Sequence, residues 1–164
     1  MRPAVPEAAK IVLLVLGATA FYTYIGQLVP QKEVLPPQET VMKAEMTTAD
    51  LVRVGQEVAS GKGLCFTCHT VGKSGALRFP DLAGIATRAD ARIAGLGGLQ
   101  YLAHSIYRPD EFIVPGFTKG MPRIDKPPIA LNDQEILAVI AYLQSLGGTP
   151  SVTLATTKAE LGIE

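Results

Sequence analysis

The segment GLCFTCHT, residues Gly63–Thr70, decides how the rest of this chain is interpreted. It contains both cysteines of the 164-residue chain, Cys65 and Cys68, and one of its two histidines, His69. Two cysteines cannot form a disulfide scaffold, so their position on one short segment indicates a cofactor, a metal or redox chemistry. The chain has 15 basic and 15 acidic residues. This balance gives no basic excess for a nucleic-acid partner.

The spacing Cys-x-x-Cys-His is that of c-type haem attachment. Two thiols three positions apart reach the two vinyl groups on one edge of the porphyrin and form thioethers with them. The residue that follows is then placed beneath the iron, where an imidazole becomes the proximal axial ligand. We therefore expect one covalent haem c, held by Cys65 and Cys68, with His69 on the iron.

Three other interpretations of this segment are less satisfactory. A structural zinc site would need Cys65, Cys68, His69 and the remote His104 together, and adjacent Cys68 and His69 can hardly share one tetrahedral ion. A thioredoxin-like dithiol needs a strand–helix–strand setting, which the sequence does not suggest. A plain disulfide would leave His69 unexplained.

The N-terminal region, residues 1–29, is predicted to be a membrane anchor. Ile11–Val29 is a run of 19 residues without a charge, and as a helix it would cover about 28 Å, close to a bilayer core. The competing interpretation is a cleaved signal peptide, because Ala18–Ala20 resembles a cleavage site. The apolar run continues for nine residues beyond Ala20, which favours a retained transmembrane helix.

The rest of the chain divides by composition. Residues 30–45 are rich in proline and predict an extended spacer. Residues 46–146 form the predicted domain, and residues 147–164 form a tail that is either disordered or clasps a neighbour. Met42 and Met46 are expected to pack against the following helix.

Within the domain, helical periodicity predicts an all-α fold. A first helix begins near Thr47 and ends at Gly61, and a short one covers Leu99–Tyr107. The last begins at Asn132 with Glu135 three positions later, which is a capping box. No segment alternates well enough to predict a strand.

A second axial ligand is predicted at Met121. It lies in the Gly- and Pro-rich segment GFTKGMPRI, 52 residues after His69. A thioether ligand raises the reduction potential of a haem relative to a second imidazole. The rival is His104, in the middle of a predicted helix, where a histidine is more often simply packed.

Residues 46–146 resemble a class I monohaem cytochrome c domain. CFTCH, FPDLAGIATR, YLAHSIYRPDEFIVPGFTKGMP and LNDQEILAVIAYLQSL follow one another in the order of that family. The anchored N-terminus further resembles cytochrome subunits of bacterial respiratory complexes, such as alternative complex III or haem–copper oxidases. These resemblances imply a single-pass protein of the bacterial inner membrane, with its haem domain on the periplasmic side and other subunits of a complex as redox partners.

The family pattern also implies roles for individual residues. Pro80 matches the proline whose carbonyl accepts the imidazole proton of His69, although Phe79 replaces the usual glycine before it. Arg88 matches a basic position near a haem propionate. The resemblance further implies that Tyr101 and Leu102 line the haem pocket, and that Tyr142 lies where the first and last helices of the domain cross.

A haem iron with six ligands has no open position for a small-molecule substrate, so the predicted function is one-electron transfer rather than enzymatic catalysis. The alternatives are a diffusible periplasmic cytochrome after signal cleavage and, more remotely, a peroxidase or a gas sensor. Lys62, Lys73 and Arg78 flank the haem-binding segment, and no acidic residue lies between Glu57 and Asp81. This local positive patch either faces water or steers an acidic partner.

Overall fold

The computed structural model describes residues 6–30, 42 and 45–163, and within them every regular element is helical. The chain divides into two compact units, Met1–Pro36 and Pro37–Glu164. The predicted spacer lies almost entirely outside the described residues. Met42, within the spacer, and Met46, directly after it, are partly buried against the core of the second unit.

The first unit contains helix α1, Glu7–Leu28, which has 22 residues, none of them buried. Its most apolar window has a mean hydropathy of 1.7, so the helix is long and apolar enough to cross a membrane. Apolar residues cover all sides of α1, in contrast to the single apolar stripe of a helix that packs on a soluble core. An N-terminal signal sequence would meet the same criteria of length and hydropathy.

The described residues of the second unit form four α-helices and a short 3-10 helix, Cys65–Thr67. The α-helices are α2 (Thr48–Ser60), α3 (Ile85–Ala89), α4 (Gly98–Tyr107) and α5 (Asp133–Ser145). Sequence periodicity predicts α2, α4 and α5. The five-residue α3 is too short to show a helical period.

Helices α2 and α5 each begin with a capping box, in which two residues three positions apart exchange hydrogen bonds between side chain and backbone. In α2, Asp50 N donates to Thr47 Oγ1 over 3.2 Å, and Thr47 N donates to Asp50 Oδ2 over 3.0 Å. In α5, Glu135 N donates to Asn132 Oδ1 over 2.9 Å, with the reciprocal bond from Asn132 N at 2.8 Å. Both helices therefore begin where the sequence predicts.

Helices α2 and α5 cross at Gly55. A Cβ atom at this position would overlap the backbone carbonyl of Ala138 and lie 2.9 Å from Tyr142 Cβ. The absence of a side chain therefore allows the two backbones to approach closely. Tyr142 lies at the crossing, as the family resemblance implies, and its ring meets that of Phe66 edge to face, with 6.2 Å between the ring centres.

The segment that follows α5 packs back onto the domain. Val152, Leu161 and Ile163 are 0, 2 and 7 % exposed and belong to the same apolar core as the helices. The Gln144 side chain holds the start of this segment, because its Oε1 accepts from Ser151 N over 3.0 Å. Sequence analysis predicted that residues 147–164 are either disordered or clasp a neighbour. In the structure, the described part of this segment packs on the core of its own unit.

Candidate haem-binding site

The Cys65–His69 segment is a compact turn fixed by backbone hydrogen bonds. Gly63 N donates to Val58 O and His69 N donates to Cys65 O, both over 2.8 Å. Leu64 adopts a left-handed conformation, with φ 54°, and closes the turn that follows α2. Cys65 is partly buried and Cys68 is exposed, and both are free thiols. Burial raises the pKa of the Cys65 thiol.

Beside this turn lies a cleft with an empty volume of about 1070 Å³, which includes its open mouth. Cys65 and His69 line it, and Met121 also lines it, from the segment between α4 and α5. Most of the remaining lining is apolar, including Tyr101 and Leu102, which are 5 and 3 % exposed.

His69 is held in one tautomer by the backbone. Its Nδ1 lies 2.8 Å from Pro80 O, the contact that the family resemblance implies. A carbonyl can only accept, so Nδ1 carries the proton and Nε2 keeps a free lone pair for a metal. Phe79 also lines the cleft, with its ring 6.3 Å from that of His69. The replacement of glycine by Phe79 thus leaves the His69–Pro80 contact intact.

Asp81 ties the segment after His69 to the segment around Pro80. Its carboxylate accepts from the Thr70 hydroxyl over 2.6 Å and from the backbone amides of Gly72, Lys73 and Ala83 over 2.8 to 3.0 Å. These hydrogen bonds, with that of Thr70 the strongest, hold the pKa of the Asp81 carboxyl well below its usual range, although desolvation opposes them. Sequence analysis missed Asp81, because its partners become neighbours only in the folded loop.

The two candidates for the second axial ligand lie in different places. Met121 lines the cleft together with His69, whereas His104 does not belong to its lining. Both ring nitrogens of His104 have partners, since Nδ1 lies 3.0 Å from Glu111 Oε2 and Nε2 lies 3.1 Å from Gly162 O. The geometry therefore favours Met121.

Arg88 does not line the cleft. Its guanidinium donates to the backbone carbonyls of Ala83 and Asp81, the latter over 3.0 Å, and so braces the loop before α3. Arg92, which sequence analysis did not single out, does line the cleft, and its buried Nε has no hydrogen-bond partner. A buried nitrogen without a partner cannot be identified from the sequence.

The positive patch around the haem-binding segment is smaller than the sequence suggests. Lys62 Nζ lies 2.8 Å from Glu135 Oε2, and the two side chains are 29 and 2 % exposed. This ion pair anchors the end of α2 to the start of α5, so Lys62 is not free to meet a partner. Lys73 and Arg78 remain, and the guanidinium of Arg78 lies 5.4 Å from the centre of the Phe79 ring.

An all-α domain with thiol, imidazole and thioether groups on one apolar cleft is the kind of site that holds a covalent haem. The family model for cytochrome c matches residues 52–147. This is more than half of the chain, which therefore belongs to the cytochrome c family. Among curated proteins, none matches. Membership of this family implies haem c and haem-based electron transfer, and it favours a carrier over an enzyme.

The residues of the cleft fit haem c. The His69 tautomer leaves Nε2 available for iron, and the lining is mostly apolar like the porphyrin face. The buried Arg92 Nε, which has no partner among the described residues, suits a carboxylate on the rim of the macrocycle. Cys65 and Cys68 would supply the two thioethers.

Proposed function

We propose that this chain is a membrane-anchored one-electron carrier with a single covalent haem c, ligated by His69 and Met121. The observation that carries the proposal is that His69 and Met121 line the same cleft, with Cys65 in its wall. The haem supplies an iron that cycles between the ferrous and ferric states.

The protein's part is to hold this group and to tune it. The Pro80 carbonyl fixes the orientation of His69 and makes its imidazole a better ligand, as such hydrogen bonds do in metal sites. Tyr101 and Leu102, buried in the cleft wall, keep water away from the macrocycle. A drier site with a thioether ligand favours the ferrous state, and hence a high potential.

His69 and Met121 together would leave no position on a bound haem iron open to a substrate, which favours a carrier over a peroxidase or a gas sensor. The reduced protein is therefore expected to resist carbon monoxide. Rapid formation of a carbonyl complex by the wild type would favour the sensor or peroxidase instead.

The membrane part of the proposal rests on α1. At 1.5 Å per residue its 22 residues cover about 33 Å, enough for a bilayer core of about 30 Å. Phe21, Tyr22 and Tyr24 lie toward its C-terminal end, where interfacial aromatics are common. Arg2 and Lys10 precede the apolar run and agree with a cytoplasmic N-terminus, which leaves the haem domain on the periplasmic side of a bacterial inner membrane.

Electron donors and acceptors would then be other proteins, most simply other subunits of a respiratory or photosynthetic complex to which the anchor confines the domain. Purification in mild detergent, followed by identification of the co-purifying subunits, tests this. A signal peptide cleaved after Ala20 would instead release a diffusible periplasmic cytochrome. The mass of the mature haem polypeptide distinguishes the two, because cleavage removes the first 20 residues.

Ligand substitution tests the haem assignment. Met121→Ala should abolish the weak red sulfur-to-iron absorption band of the oxidised protein and lower its potential, whereas the matched variant His104→Ala should keep both. The reverse pattern would show that His104 is the ligand. In either variant, acid–acetone extraction should leave the colour on the polypeptide, and haem recovered in the solvent would rule out covalent attachment.

Topology is tested separately. Protease added to intact spheroplasts should remove the haem domain of an anchored protein. Protection of the domain under these conditions would contradict the proposed orientation.

A further inference from the structure

Arg92 differs from the other residues around the cleft. It lies between α3 and α4, and among the residues described as lining the cleft it is the one with a permanent charge. Its Nε is buried and has no hydrogen-bond partner among the described residues.

A buried, unpaired guanidinium nitrogen is costly, because the donor has lost its water without gaining a partner. Such orphaned donors are rare in folded proteins, and a ligand that the donor binds is one explanation for them. The natural partner of a guanidinium is a carboxylate, which it binds through two parallel N–H···O bonds. Haem c carries two carboxylates, its propionates, on an otherwise apolar macrocycle.

We propose that Arg92 binds a haem propionate and thereby raises the reduction potential of the iron. The inference rests on the proposed haem site and adds a residue to it. Arg88, the position implied by the family pattern, is already committed, because its guanidinium donates to the carbonyls of Asp81 and Ala83 and lies outside the cleft lining. Arg88 braces the loop, and Arg92 contacts the cofactor.

The sign of the effect follows from charge. A propionate near the iron stabilises the ferric state, which carries one more positive charge than the ferrous state. A guanidinium paired with that propionate offsets this stabilisation, so its removal lowers the potential. In a partly buried site the change should be about three- to tenfold in the reduced-to-oxidised ratio, and a tenfold change corresponds to about 59 mV for one electron.

The experiment uses the full-length holoprotein in detergent, with Arg92→Gln, Arg92→Lys and the matched control Arg88→Gln. Redox titration gives the potential, and infrared difference spectra of the reduced and oxidised forms give the propionate carboxylate bands. Arg92→Gln should lower the potential and shift a propionate band, and Arg92→Lys should restore most of the potential because it keeps the charge. Arg88→Gln should leave both close to wild type and lower the thermal stability instead.

The inference is overturned if Arg92→Gln keeps the wild-type potential and propionate bands, or if Arg88→Gln shifts both instead. If Arg92→Gln does not accumulate with haem, Arg92→Lys decides, since an unchanged carboxylate spectrum in that variant also contradicts a direct contact. Failure of the proposed function is visible separately, because the wild type would then lack covalent haem or the red band of the Met-ligated form.

Discussion

Replacing Gly55 with alanine is expected to force apart the two helices at the centre of the second unit. The new Cβ would overlap the backbone carbonyl of Ala138 and lie 2.9 Å from Tyr142 Cβ. Neither atom can move away by a side-chain rotation, because a carbonyl and a Cβ are both fixed to the backbone of α5. The helices must therefore shift, and the core around Gly55 must repack.

The size of the effect is the balance of two opposing terms. Overpacking costs typically 1 to 3 kcal/mol, and a backbone overlap belongs at the upper end, about 3 kcal/mol. Alanine is better than glycine in a helix by about 1 kcal/mol. The net loss should be about 2 kcal/mol, which for a domain of this size lowers the melting temperature by roughly 8 °C.

Thermal unfolding of the holoprotein, followed by circular dichroism, measures this loss. Gln56→Ala is the matched control, because Gln56 is the next residue of α2 and its side chain is exposed. It should change the melting temperature little. A Gly55→Ala protein as stable as Gln56→Ala would refute the close approach of α2 and α5.

Three further predictions concern charged groups. Lys62→Met should cost about 2 kcal/mol in denaturant unfolding, because it leaves the buried Glu135 carboxylate without its cation. The double variant Lys62→Met/Glu135→Gln should recover part of this loss. A Lys62→Met protein as stable as wild type would show that the ion pair does not stabilise the fold. The lowered pKa of Asp81 means that its stabilisation is present above its unfolded pKa of about 3.9 and is lost as the pH falls below it. Asp81→Asn should therefore be less stable than wild type at pH 7, and the difference should become smaller under acid conditions. A difference in stability that does not change with pH would show that the ionised Asp81 carboxylate is not its cause. Lys73→Glu/Arg78→Glu should slow electron transfer to an acidic diffusible partner mainly at low ionic strength. If the rates of wild type and variant are equal and do not change with ionic strength, these charges only face water.

The features that sequence analysis predicts correctly are local. The capping boxes of α2 and α5 each lie within four consecutive residues, and the bonds they make join those same residues. The contact between His69 and Pro80 was predicted only from the family resemblance, because the two residues are 11 positions apart and no local pattern joins them.

The features that sequence analysis missed depend on residues brought together by folding. Lys62 looks like a free loop charge in the sequence, yet its partner Glu135 is 73 residues away. The family pattern placed Arg88 near a propionate, and sequence analysis did not single out Arg92. Only their hydrogen-bond partners separate them, because Arg88 is committed to backbone carbonyls and the Arg92 Nε is unpaired.

The cleft and the core share side chains, which links cofactor attachment to stability. Tyr101, Leu102, Ile106 and Val139 belong to the apolar core and also line the cleft. A haem bound there would cover the cleft-facing surfaces of side chains that also belong to the apolar core of the domain. Such a ligand stabilises the folded chain in proportion to how much more tightly it binds the folded than the unfolded state. Covalent bonds to Cys65 and Cys68 would prevent the haem from dissociating, so the folded domain and its cofactor would form one structural unit.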